Sequence, residues 1–97
     1  MAYLIIEWDS LKAQSNMRKH GVGFEEASTV FDDPLAAIFS DEGHSYEEFR
    51  EIMIGTSILN RLPLVCFTER QKNRVRIVSA RRATRREQKD YEEHRGI

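Results

Sequence analysis

The sequence predicts an α+β domain with the element order βααββββα, in which helices gather against an antiparallel meander. Three observations carry this: apolar residues at helical spacing in the first third, four β-rich runs between Leu35 and Ala80, and a capping-box match at Thr84-Arg85-Arg86-Glu87. Residues 3 to 8, rich in β-formers, read as a short strand that Asp9 stops. Asp9 then caps a helix from Ser10 to about His20, and Gly21 supplies its left-handed terminus. Phe24, Ala27, Val30 and Phe31 place a second amphipathic helix, which Gly23 caps without a side-chain acceptor and Asp33-Pro34 ends.

The strands then follow at Leu35–Phe39, Phe49–Gly55, Leu62–Glu69 and Arg74–Ala80, with Gly43, Ser57, Asn60 and Asn73 in the segments between them. Connections this short favour antiparallel neighbours. In the last element, the Thr84 hydroxyl and the Glu87 carboxylate each satisfy one free amide, so a helix runs from Arg85 to about His94. A three-residue loop at Gln71, Lys72 and Asn73 would pair Arg70 with Arg74, Thr68 with Arg76, Cys66 with Val78 and Leu64 with Ala80. That register puts Arg81 on the same side as Glu69, and Arg76 on the other; a one-residue slip exchanges the faces.

Ninety-seven residues, 40% hydrophobic and 32% charged, make a single domain spanning 1–97. A domain of this size buries roughly 60–65% of its unfolded surface, enough to fold without staples. The one cysteine, Cys66, lies within the apolar run Leu64-Val65-Cys66-Phe67 and reads as a small buried hydrophobe in a reducing compartment. Tyr3-Leu4-Ile5-Ile6 is too short for a signal-peptide core and no later run reaches the length of a membrane span, so a cytoplasmic protein without membrane contact is expected. Trp8, Phe24, Phe31, Phe39 and Phe67 sit on the apolar phase of their elements and are expected in the core.

Charge is strongly polarised. The chain holds 15 Lys and Arg against 16 Asp and Glu, yet Arg70 to Arg86 carries eight basic residues and no acidic one. Residues 1 to 69 carry 5 basic and 12 acidic side chains, a balance of −7. Such separation points to a polyanion site, with an acidic protein partner or a charged edge strand as the other readings. Arg85 and Arg86 stand at a helix start, where positive charge opposes the dipole and an incoming anion would relieve it. Lys19 and His20 suit the negative end of the first helix. His44, in the loop Asp41-Glu42-Gly43-His44-Ser45, titrates near neutrality and is a candidate proton carrier. Asp32, Asp33, Asp41, Glu42 and His44 lack the ligand spacing of known metal motifs, so no metal or other cofactor is expected.

Several segments together carry a resemblance. They are Glu7-Trp8-Asp9, Asn16-Met17-Arg18-Lys19-His20-Gly21-Val22, Phe24-Glu25-Glu26-Ala27 and Phe31-Asp32-Asp33-Pro34, then the Asp41–Ser45 loop and Phe67-Thr68-Glu69-Arg70. The run Arg76-Ile77-Val78-Ser79-Ala80-Arg81-Arg82-Ala83-Thr84, with Glu87 and Tyr91 beyond it, completes the pattern. In this order and spacing the chain closely resembles the BrnT family of toxins from type II toxin–antitoxin modules. The resemblance implies a RelE-like fold and a ribonuclease that cleaves messenger RNA and arrests growth. It also implies a ribbon-helix-helix antitoxin, BrnA, through which the complex binds its operator DNA. Gly23 departs from the family, which often has Ser or Thr there.

Under that resemblance, a metal-free ribonuclease must take a proton from the 2′-hydroxyl, stabilise a pentacoordinate phosphate and protonate the leaving 5′-oxygen. Arg81, Arg76 and Arg50 are expected to stabilise the phosphate, and Arg74, Arg82, Arg85 and Arg86 to hold the RNA backbone, because guanidinium forks stay charged and bond two oxygens at once. Glu69 or His44 is the expected base, and Lys19 or His20 the acid. If the strand faces are exchanged, His44 and Arg76 become the better pair. A non-enzymatic module that binds nucleic acid or an acidic partner is the alternative.

Overall fold

Asp9 ends the first strand as its composition demands: its carboxylate accepts from the Leu11 and Lys12 amides at 2.8 and 3.1 Å, and these bonds hold its pKa below the ordinary carboxylate range. The computed structural model describes residues 4–40 and 50–94. In chain order the elements are β1 (Ile5–Glu7), α1 (Ser10–His20), α2 (Phe24–Thr29), a 3-10 turn (Val30–Asp32), β2 (Ala37–Ser40), β3 (Arg50–Ile54), β4 (Pro63–Gln71), β5 (Arg74–Arg82) and α3 (Arg85–His94). The order is βααββββα, as expected. Gly21 closes α1 with φ of 71° and donates to the Met17 carbonyl, while Gly23 starts α2 with no side-chain cap. The expected strand start at Phe49 and the loop 41–45, with His44, lie outside the described residues.

The five strands form one sheet in the order β1-β5-β4-β3-β2. β2 to β5 make the antiparallel meander, whereas β1 runs parallel to β5, with Ile5, Ile6 and Glu7 opposite Arg74, Val75 and Arg76. The sheet is therefore mixed. α1 and α2 cover one face, where Val65, Phe67, Val75, Ile77, Ala80 and Met53 meet Val22, Phe24, Ala27 and Val30. Trp8 packs edge-to-face on Phe24, and Phe31 on Phe67. Phe39 departs from expectation: it is 52% exposed, because β2 is an edge strand and its side chain projects away from α1 and α2.

Two irregularities set the register of β4 on β5. Gln71, not Arg70, pairs with Arg74 across the turn at Lys72 and Asn73, leaving Arg70 as an extra residue; Thr68 and Arg76 pair as expected. Further on, Phe67 faces Ile77 but Cys66 faces Ser79, so Val78 is a bulge. Beyond it every side chain changes face: Ala80 turns into the core beside Val65, and Ser79 and Arg81 join Arg76. The expected pairs Cys66–Val78 and Leu64–Ala80, and the placing of Arg81 with Glu69, are corrected by that single extra residue.

The polar residues buried on the helical side are satisfied. Glu26 on α2 accepts from Arg61 through both carboxylate oxygens and from the Ser57 hydroxyl at 2.7 Å, and Arg61 also donates to the Gly21 carbonyl. Chiefly through Arg61, Glu26 is held charged at lower pH than an ordinary glutamate. Among the described residues no helix is long and apolar enough to cross a membrane.

Candidate active surface

Among the described residues, helix covers the face opposite α1 and α2 over only part of its length. α3 lies across one end: Tyr91 is buried there with Ala37 and Ile54, and its hydroxyl donates to Asp33 Oδ2 at 2.9 Å. Between α3 and the strands, a cavity of about 210 Å³ is lined by Phe39, Ile52, Ile54, Leu64, Glu87, Asp90 and Tyr91. The other end carries polar groups. Register places Glu7 opposite Arg76, Arg76 opposite Thr68, and Thr68 opposite Arg50, so four strands contribute one continuous row. Paired residues share a face with Cβ atoms roughly 5 Å apart, which puts these side chains within reach of one another.

Within the row, the Glu7 carboxylate lies 3.8 Å from both Arg74 and Arg76. All three side chains are about a third or more exposed, so these pairs are loose and exchangeable. The Thr68 side chain is buried between the two flanking arginines of its row, and neither its Oγ1 nor the buried Nε of Arg76 has a hydrogen-bond partner among the described residues. Arg74 and Arg76 thus set two guanidinium groups against the Glu7 carboxylate, and their surroundings remain partly open to water. The row can receive an anion from solvent.

Arg81 shares this face but is paired away from the row. It stands opposite Leu64, four residues along β4 from Thr68, or roughly 13 Å at the usual rise per residue. Its two terminal nitrogens each lie 2.8 Å from an oxygen of Glu87. Glu87 also accepts from the Thr84 amide at 2.9 Å and returns its own amide to the Thr84 hydroxyl, so the capping box and the ion pair are one unit that fixes the start of α3. Arg81 first, then the Thr84 amide, hold the Glu87 pKa down from 4.5 to about 2.

The sign of the pH dependence follows. A carboxylate whose pKa is depressed by folding contributes stability that is complete above its unfolded value and disappears as pH falls through its folded value. The Glu87 contribution is therefore lost between about pH 4.5 and pH 2. Replacing Glu87 with glutamine should flatten that part of an acid-unfolding curve followed by circular dichroism. An unchanged acid limb would assign the acid sensitivity to other carboxylates.

The remaining sequence candidates divide by position. Glu69 pairs with Val75 and lies at the rim of the helical face with Phe67 and Met53, on the opposite side from Arg76. Lys19 and His20 are exposed at the end of α1, which packs on that helical face through Asn16 and Ala80. They do not join the Arg76 row. Arg82 is exposed and lines a separate cleft with Arg61 and Gln88, while Arg85 and Arg86 are exposed on the first turn of α3. The structure thus brings Arg50, Arg74 and Arg76 together and separates them from Arg81, Arg82, Glu69, Lys19 and His20. Glu7 and Thr68 were not singled out by sequence reasoning. The available signal was a glutamate set between Ile6 and Trp8 in a strand, and a threonine alternating with the apolar phase of β4. Among the described residues no group of three or more His, Cys, Asp or Glu is placed to hold a metal ion.

Comparison with known proteins agrees with this architecture. A family model described as "Ribonuclease toxin, BrnT, of type II toxin-antitoxin system" matches residues 8–87. The 1.1 Å crystal structure of the Brucella abortus ribonuclease toxin BrnT is similar in fold, with a TM-score of 0.65 and 24% sequence identity over 84% of this chain and 99% of that one. No curated protein matches the chain.

Proposed function

The chain belongs to the BrnT family of ribonuclease toxins of type II toxin–antitoxin systems, and we propose that it is an endoribonuclease acting on messenger RNA through the row formed by Glu7, Arg76, Thr68 and Arg50. The observation that carries the reading is this row itself: a carboxylate and guanidinium groups meet on the part of the sheet that no described helix covers. The phosphodiester lies against Arg76 and Arg50, with Arg74 beside them. Glu7 accepts the proton of the 2′-hydroxyl, whose oxygen attacks the adjacent phosphorus while the P–O bond to the 5′-oxygen breaks and that oxygen takes a proton from solvent water. The extra negative charge of the pentacoordinate phosphate meets guanidinium groups that are already in place. Cleavage on this reading is metal-independent, since the arginines supply the positive charge.

Arg81 has a supporting role here, because its guanidinium is committed to Glu87 and thereby anchors α3. Arg85, Arg86 and Arg82 extend the positive surface for the RNA backbone beyond the row. We place a BrnA-like ribbon-helix-helix antitoxin over the same face, in the cytoplasm, with operator DNA bound through the antitoxin. An amphipathic segment with acidic groups suits both the arginines and the neighbouring apolar strip of Phe39 and Ile52.

The test is product analysis. RNA incubated with the purified chain in excess chelator should yield fragments ending in 2′,3′-cyclic phosphate with 5′-hydroxyl partners. RNA left intact with and without added divalent ions would favour a binding module without catalysis. Cleavage only with added metal would retain the nuclease and remove the metal-free mechanism.

A further inference from the structure

We propose that Thr68 is a further substrate-contacting residue: its hydroxyl and the Nε–H of Arg76 form a two-donor seat for one non-bridging oxygen of the RNA phosphodiester. This deepens the ribonuclease reading and rests on it for the identity of the anion. Thr68 is only 1% exposed, and its Oγ1 and the Nε of its cross-strand partner Arg76 are both buried without a hydrogen-bond partner among the described residues. Buried polar atoms are almost always paired, so two adjacent exceptions on one face call for a ligand.

The chemistry of the two groups selects it. An arginine Nε–H donates only, and a threonine hydroxyl donates readily, so an oxygen acceptor between them satisfies both at once. Folding gains nothing from the hydroxyl: valine has nearly the same branched shape, favours strands equally and leaves no unsatisfied atom. The cation beside the hydroxyl makes an anionic oxygen the better occupant. Access is provided by Arg76, whose side chain is 41% exposed and whose outer nitrogen is held loosely, by a 3.8 Å pair with Glu7. A phosphate that draws the guanidinium toward itself uncovers the hydroxyl beneath. In the transition state, where charge on the phosphate oxygens rises, both bonds strengthen.

The experiment compares wild type with Thr68→Val and Thr68→Ser by three measurements: single-turnover RNA cleavage, thermal unfolding, and the nitrogen-15 signal of the Arg76 Nε–H during titration with inorganic phosphate. The valine variant should cleave roughly 10²-fold more slowly while melting at the same temperature or higher, and serine should restore most of the rate. In wild type, phosphate should move the Arg76 Nε–H signal, and in the valine variant that response should be lost. Wild-type cleavage by a folded valine variant, or a phosphate response independent of residue 68, would overturn the proposal. Absence of any Arg76 response in the wild-type protein would overturn it whether or not the variant folds. If wild type does not cleave RNA but the signal still moves in a Thr68-dependent way, the seat stands and the ribonuclease reading falls.

Discussion

Replacing Arg76 by alanine is expected to slow RNA cleavage by roughly 10²–10³-fold, the usual loss when one preorganised donor to a developing anion is removed. Arg76 is the central cation of the row, with Glu7 on one side and Thr68 on the other. The fold should barely notice. The Arg76–Glu7 pair spans 3.8 Å between side chains that are 41% and 32% exposed, and such pairs contribute at most about 1 kcal/mol. Single-turnover cleavage, read beside a urea unfolding curve, therefore separates chemistry from stability. Lysine at the same position should recover only part of the rate, since it keeps the charge but not the planar fork. Cleavage by Arg76→Ala within a few-fold of wild type would remove this row from the mechanism.

Arg81 makes the informative contrast. Sequence alone ranks the two arginines together, because both lie in one basic stretch. In the structure Arg81 is clamped on Glu87, so its loss should loosen the start of α3 before it touches chemistry. A basic run in sequence is thus not one surface: a strand alternates its side chains, a bulge changes the alternation, and internal carboxylates claim some of the cations.

What could be read in advance was whatever depends on neighbours in the chain. The Asp9 cap, the Gly21 terminus and the Thr84–Glu87 box are local hydrogen-bond patterns; α1 begins and ends, and α3 begins, where those patterns put them. The meander was legible for the same reason, since short connections restrict adjacent strands to antiparallel pairing. The placement of β1 was not, because a terminal strand carries no local mark of its partner, and its parallel union with β5 is made across more than sixty residues. That one long-range pairing is what brings Glu7 into the site. The bulge left a trace only in the successive apolar residues Ile77 and Val78, where strict alternation would have put a polar one. The pairing of Glu26 with Arg61 across 35 residues left none.

The largest loss of stability from a single substitution is expected at Asn16. This residue lies on α1, only 7% exposed, and its amide nitrogen donates to the carbonyls of Val22 and Ala80 at 2.9 and 2.8 Å while its oxygen accepts from the Ala80 amide at 3.1 Å. β1 pairs with β5 only as far as Arg76, so among the described residues the edge of β5 beyond that point has no neighbouring strand. The Asn16 side chain, itself an amide, stands in for the missing strand at Ala80 and ties the turn after α1 to the same spot. Alanine would leave two carbonyls and one amide without this partner, at about 1–3 kcal/mol for each group that stays buried. If two of the three groups stay buried, a total of about 2–6 kcal/mol is a large part of the 5–15 kcal/mol that holds a typical domain together. Aspartate should be worse than its size suggests, because it keeps the acceptor for the Ala80 amide but faces two carbonyl oxygens with a negative charge. Urea unfolding of the two variants measures both effects. A loss below about 1 kcal/mol for Asn16→Ala would mean that solvent enters and replaces the amide, and that α1 is held to β5 by its apolar contacts alone.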